Sequence, residues 1–313
     1  MIKLSNTKLL THTFFVVILT VSLTPTFARD AKTPQKNQNV TGAQQQMTDF
    51  SLAGYGEKGA KAWDLAGQSA DIFDNVVKLN NITGNMYGKN EDIKLTANKG
   101  DFDKTDGKVH LEKNVVVTTS KGTKLTTNSL DWDRKNEKVS TVDPVNISRD
   151  NMVTTAMGAI GEPSLNKVTL GKDVQVDIHP KPGEEPMKGV KNKITITCDG
   201  PLEIDYQKNV ATFKNNVKVD TEDKQIYSDT MEVYFLTSKK EEPVTAQGQG
   251  ALPLSGTSID KIVSRGNVKI VSGENVSYSD EAVYSAADKR IVLNGRPRLI
   301  ISTTEGFSAS SGN

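Results

Sequence analysis

The chain predicts an all-β protein, two stacked β-sheet units behind an N-terminal export segment. Three observations carry this reading. Apolar residues alternate with polar ones over short runs bounded by Gly, Asn and Asp, as in Val109-His-Leu111, Val174-Gln-Val-Asp-Ile178 and Val217-Lys-Val219. Period two of that length marks half-buried strands. No stretch after the export segment sustains a 3.6-residue apolar period long enough for a core helix. Finally, the sequence repeats itself. Leu95-Thr-Ala-Asn-Lys-Gly-Asp-Phe-Asp reappears thirty residues later as Leu125-Thr-Thr-Asn-Ser-Leu-Asp-Trp-Asp, and the register continues through Val109/Val139, Val115/Val145 and Val117/Ile147.

Residues 1–28 begin with Lys3 and Lys8, continue with an apolar run from Phe14 to Leu23, and end on Pro25 and Thr26-Phe27-Ala28. Positive start, apolar stretch and small-residue site in that order read as a signal peptide. The run is short for a membrane span of about 20 apolar residues. Cleavage after Ala28 and retention as an inner-membrane anchor through residues 9–27 both remain open. Either one places the body outside the cytoplasm, in the periplasm. Residues 29–48 are polar and aperiodic, a linker.

The first β unit is expected over 49–180. Weaker copies follow the two at Leu95 and Leu125, at Val153-Thr-Thr-Ala-Met-Gly, Ile196-Thr-Cys-Asp-Gly, Ile226-Tyr-Ser-Asp and Val276-Ser-Tyr-Ser-Asp. Each unit reads as strand, turn, strand, then a short separate strand centred on Asn-Val. Such a unit has one apolar face and buries it only by stacking on its neighbours, which predicts an elongated stack or rolled sheet. Residues 181–192 (within Pro180-Lys-Pro-Gly-Glu-Glu-Pro through Asn192) interrupt the pattern and read as a linker and hinge. The second β unit then runs over 193–313, with a Gly/Gln/Pro-rich surface loop from Glu241 to Ser258.

Composition excludes several functions. The 39 basic and 38 acidic residues leave a net charge of +1, without the basic excess that a nonspecific nucleic-acid binder needs. Three histidines, His12, His110 and His179, form no catalytic or metal motif, and there is no phosphate-cradling Gly-x-x-x-x-Gly-Lys-Ser/Thr loop. The chain is therefore read as a non-enzyme with no cofactor and no metal. Asp101-Phe-Asp103-Lys-Thr-Asp106-Gly107 with Glu112 comes nearest to a calcium loop. It misplaces the fifth-position oxygen and the glycine, and hairpin-turn aspartates bonding their own backbone explain it better. Cys198, the single cysteine, alternates with Ile194 and Ile196 and reads as a small core hydrophobe. Phe102 and Trp132 occupy equivalent places in two repeats, either for packing between units or facing a ligand.

Inward Val, Ile and Leu on stacked strands make either a dry core or an apolar trough, and periodicity does not separate the two. The residues that would line a trough are Val115, Val117, Val145, Ile147, Val217, Val219, Val268 and Ile270. An exported β-solenoid binding glycans is the alternative. It would need a ladder of exposed aromatics, and only 6% of residues are aromatic.

Specific motifs add to this. Phe50-Ser-Leu52, Trp63-Asp-Leu-Ala-Gly, Leu95 to Gly100, Asn114 to Val117, Leu125 to Asp133 and Pro144 to Ile147 occur in the order that resembles LptC. Asn209-Val-Ala-Thr-Phe-Lys-Asn-Asn-Val, Ile262-Val-Ser-Arg-Gly-Asn-Val-Lys-Ile, and Ser279-Asp-Glu-Ala-Val-Tyr284 leading to Arg298 resemble LptA. Both belong to the OstA-like family of periplasmic lipopolysaccharide-transport proteins. The resemblance implies two OstA-like β-jellyroll (β-taco) domains whose interior shields lipid A acyl chains. It implies head-to-tail joining with other OstA-like modules by β-augmentation, between the inner-membrane ABC transporter of the Lpt system and an outer-membrane LptD-like assembly protein. An LptC-like and an LptA-like half in one chain departs from the usual separate proteins.

Overall fold

The computed structural model describes residues 43–56, 59–88, 91–133, 135–136, 138–162, 165–179, 193–236, 258–288 and 290–301. The export segment, most of the 29–48 linker, the 181–192 linker and the predicted loop up to residue 257 lie outside them. The all-β expectation holds. Seventeen strands form one antiparallel sheet: β1 (Gln45–Tyr55), β2 (Lys61–Ile72), β3 (Val76–Met86), β4 (Ile93–Asp103), β5 (Lys108–Thr119), β6 (Lys124–Asp133), β7 (Lys138–Arg149), β8 (Met152–Glu162), β9 (Lys167–Ile178), β10 (Ile194–Cys198), β11 (Leu202–Asp205), β12 (Val210–Asp220), β13 (Lys224–Leu236), β14 (Ser258–Ser272), β15 (Asn275–Ser285), β16 (Arg290–Asn294) and β17 (Arg298–Ile300). β1 takes in Gln45–Thr48, which the sequence had left in the linker.

Each strand pairs with the next along the chain, so the sheet is a meander. Two strands are interrupted. β10 and β11 lie in line between β9 and β12, and β16 and β17 lie in line against β15. The expected hinge at 181–192 does not divide the sheet. β9 and β10 on either side of it pair from Ile194↔Ile178 to Cys198↔Val174, and β11 continues the ladder from Leu202↔Leu170 to Asp205↔Lys167.

The sheet is folded on itself along a crease through mid-strand. In β12, Ala211 and Phe213 are buried before the crease and Val217 and Val219 after it, while Asn215 and Asn216 between them are exposed with φ of +66° and +52°. Two successive left-handed residues turn the chain sharply, and asparagine tolerates that conformation better than other non-glycine residues. The ladder to β13 jumps there from Lys214↔Thr230 to Val217↔Ser228. β5 bends the same way at Lys113 and Asn114 (φ +67° and +57°), and β14 at Gly266 and Asn267 (φ +75° and +47°). A side chain at Gly266 would strike Asp229, its Cβ falling 2.2 Å from Oδ2. Between these, β6, β13 and β15 slip by one residue at Thr127-Asn128, Ser228-Asp229 and Ser279-Asp280, each burying its hydroxyl residue. The short separate strand that the sequence suggested at each Asn-Val is thus the second arm of a bent strand. Val115 and Val117 continue β5 beyond Val109 and Leu111 because the two turned residues leave the inward parity unchanged.

Alternate residues of both arms face inward and pack into two apolar clusters. One joins Phe50, Trp63, Leu65, Ile72, Val77, Leu79, Ile82, Phe102, Val109, Leu111, Val115 and Leu130, from β1 to β6. The other runs from Val145 on β7 to Phe235 on β13 and centres on Leu170, Leu202, Ile204 and Phe213. Phe102 thus packs in the core, with Trp132 against it. Hairpin aspartates close the turns. Asp103 accepts from the backbone N–H of Thr105 at 2.7 Å, and Asp205 from Gln207 and Lys208 at 3.0 Å each.

The crease account yields a test. Asn114→Val should lower stability by about 1–2 kcal/mol in chemical denaturation, because a β-branched residue is strained in the left-handed region, whereas Asn114→Gly should stay within a few tenths. Equal tolerance of both would mean that the bend does not depend on this conformation.

Candidate functional site: the interior and the edges of the folded sheet

All eight residues named from the sequence lie on the inner face or at its margin. Val115, Val145, Ile147, Val217, Val219 and Val268 are buried, with exposures between 0% and 9%, and Val117 and Ile270 are half-buried. The fold brings Val115 and Val117 into the first cluster, and Val145, Ile147, Val217 and Val219 into the second. Val268 and Ile270 sit on β14, outside both. Between Val217 and Val219 on β12, Lys218 faces out, where it pairs with Asp220 at 2.7 Å and lies over the Tyr227 ring.

The crease forms one long side of this interior. The opposite side is a mouth between two lips made of hairpin ends. One lip carries the β3–β4, β5–β6 and β7–β8 connections, and the other carries β4–β5, β6–β7, β8–β9 and β11–β12. Polar groups that the sequence did not single out are buried here. Glu91, before β4, is 4% exposed and its Oε1 has no hydrogen-bond partner among the described residues. Arg149, at the end of β7, is half-buried, and its Nε lies 3.5 Å from Asp150 Oδ2. Tyr206, in the turn after β11, packs against the second cluster, and burial pushes its phenol up. The hydroxyls of Ser228 and Ser279 along the crease, and of Thr154 in one arm of β8, are also buried without a partner among the described residues.

Each end of the sheet presents an edge strand. Among the described residues β1 pairs with β2 alone, and β16 and β17 with β15 alone. The C-terminal edge is markedly apolar. Ile291, Val292, Leu299, Ile300 and Ile301 are 43–61% exposed, and β16 and β17 contribute nothing to either core cluster. An apolar strand with open backbone groups is a template for pairing with another chain.

Several charges pair across neighbouring strands. His110 Nδ1 lies 2.6 Å from Asp131 on the neighbouring strand, and Arg265 bridges Glu232 at 2.8 Å and Glu281 at 3.0 Å. Cys198 is buried, which raises its thiol pKa and leaves it a core side chain. No helix among the described residues is long and apolar enough to cross a membrane. Near the N-terminal edge, Asp64 accepts from Lys61 at 2.6 Å, Asn85 at 2.6 Å and Tyr87 at 2.8 Å. These bonds, Lys61 first, hold its carboxyl down at about 2.

A depressed carboxylate stabilises the fold above its unfolded pKa, and that contribution is lost as pH falls through the folded value. Thermal unfolding of Asp64→Asn should therefore show lower stability than the native chain at neutral pH and a flatter stability profile between pH of about 4 and about 2. Parallel profiles would show that the Asp64 cluster adds nothing.

Two protein-family models match the chain. Residues 13–179 match the lipopolysaccharide-assembly, LptC-related family, and residues 196–313 match the LptA/(LptD N-terminal domain) LPS transport protein family. No curated protein matches the chain. The first match covers more than half of the sequence and every strand from β1 to β9, and the second covers β10 to β17 with β10 short of its first two residues. The chain belongs to the LptC-related family of lipopolysaccharide-assembly proteins and carries an LptA-type segment in the same polypeptide.

Proposed function

We propose that this chain carries lipopolysaccharide across the periplasm by taking its acyl chains into the apolar interior of the folded sheet, from the inner-membrane side toward the outer membrane. The observation that carries this reading is continuity. The inward faces of consecutive strands run through both family segments without a break at their junction, where β9 pairs with β10 and β11. Val115, Val117, Val145, Ile147, Val217, Val219, Val268 and Ile270 are the proposed lining.

The energetics fit such a carrier. An acyl chain of about twelve carbons in water costs roughly 10 kcal/mol at ~0.8 kcal/mol per methylene, so a soluble route needs an apolar lining along its whole length. The mouth opposite the crease gives the sugar headgroup a place in water while the chains lie inside. A buried hydroxyl without a partner costs about 1–3 kcal/mol, so Thr154, Ser228 and Ser279, unpartnered among the described residues, favour an interior that rearranges on loading over a finished core.

The apolar C-terminal edge and the free edge of β1 suit β-augmentation by other OstA-like modules. On this reading one edge faces the inner-membrane ABC transporter, whose ATPase supplies the energy, and the other faces an LptD-like assembly protein in the outer membrane. The glycan-binding alternative is disfavoured by the tryptophans, since Trp63 is 3% exposed and Trp132 packs against the core.

Photocrosslinking in cells tests the proposal, with a diazirine amino acid at Val117 and at Val217. Lipopolysaccharide adducts at both positions, and none at outward-facing Lys218, are the expected outcome. Adducts in one family segment only would make the other a docking module. Their absence at both sites in exported, folded protein would overturn the carrier reading.

A further inference from the structure

We propose that the chain consists of two bodies divided at the β6/β7 seam rather than at the junction of its two family segments. Strands β7, β8 and β9, which match the LptC-related family, then belong physically to the LptA-type body.

Of the full-length strand pairs described, β6 and β7 share the fewest backbone pairs. β6 and β7 pair at Thr126↔Asn146 and again at Asp131↔Ser140, leaving Thr127–Leu130 opposite Thr141–Val145 without a ladder. Pro144 offers no N–H there. Side chains take over instead. Ser129 Oγ donates to Asp143 Oδ2 at 2.7 Å, and the Thr127 and Thr141 hydroxyls lie 3.4 Å apart. Val142 in this gap is 84% exposed, and a cleft of about 630 Å³ opens beside it, lined in part by Thr127, Val145 and Met157. The two apolar clusters divide at the same place, one ending at Leu130 and the other beginning at Val145. Only the half-buried Leu125 and Val139 reach across. The family junction has the opposite character. Nine backbone pairs join β9 to β10 and β11, and Leu170 and Val174 pack in one cluster with Leu202 and Val217.

Asp92 is held to the β5–β6 hairpin, its N–H donating to Ser120 Oγ at 2.9 Å and its carbonyl accepting from Ser120 N–H at 2.9 Å. The β3–β4 connection, with the buried Glu91, is thereby tied within the first body rather than across the seam. Lipid passing from one body to the other crosses this joint, a consequence that rests on the carrier reading; the division itself does not.

Hydrogen exchange and calorimetry on the full chain test the division without lipid. Amides of Thr127–Leu130 and Thr141–Asp143 should exchange about a hundredfold faster than those of Val174–Ile178 and Thr195–Cys198. Two thermal transitions are expected. Leu170→Ala and Val217→Ala should lower the same one, and Leu111→Ala the other. Leu170→Ala moving with Leu111→Ala, a single transition lowered by all three, or equal exchange at seam and junction would overturn the proposal.

Discussion

Consecutive left-handed residues in the middle of a strand are the constraint on which this architecture depends. A strand of twelve residues would run about 40 Å if straight and would bury one face against something else. Lys113-Asn114 in β5 and Asn215-Asn216 in β12 bend it instead, so one strand supplies both walls of the interior. Because two residues are turned together, inward parity survives the bend and the valine that follows lands inside. Val115 and Val217 are 0% and 1% exposed for this reason.

Everything else follows from a sheet creased in this way. The crease closes one side, so the interior can be entered only at the lips and at the two ends. A meander leaves an edge strand at each end. The C-terminal edge stays apolar and unburied, which suits a chain built to continue into another module. A role in lipopolysaccharide transport agrees with both features. The folded sheet offers length and an apolar lining, and its edges offer direction.

Much of this was legible in the residues, because strand alternation reports which side chains share a face. The eight inward positions, the burial of Cys198 and the turn role of Asp103 could all be read from the sequence. The bend could not. Alternation that keeps its parity across Asn-Asn looks the same in two short strands as in one folded strand, and only the ladder jump between Lys214 and Val217 separates them. The proline-rich stretch after Ile178 suggested a hinge because loops and linkers share composition, yet the strands flanking it pair. Glu91, Arg149 and Tyr206 left no signal at all. Each is a single polar residue near a turn, and only the fold shows that Glu91 is buried and that Tyr206 packs against the second cluster.

The central claim is that the interior admits an acyl chain between its lips. Spin labels at Lys121 and Lys135, exposed on opposite lips at the two ends of β6, would report this directly in a chain with Cys198 replaced by alanine. The account predicts that the distance between the labels lengthens by several ångströms when purified lipopolysaccharide is added, and does not change with its acyl-free core oligosaccharide. An unchanged distance with lipopolysaccharide demonstrably bound would contradict it and place the lipid on the outer surface.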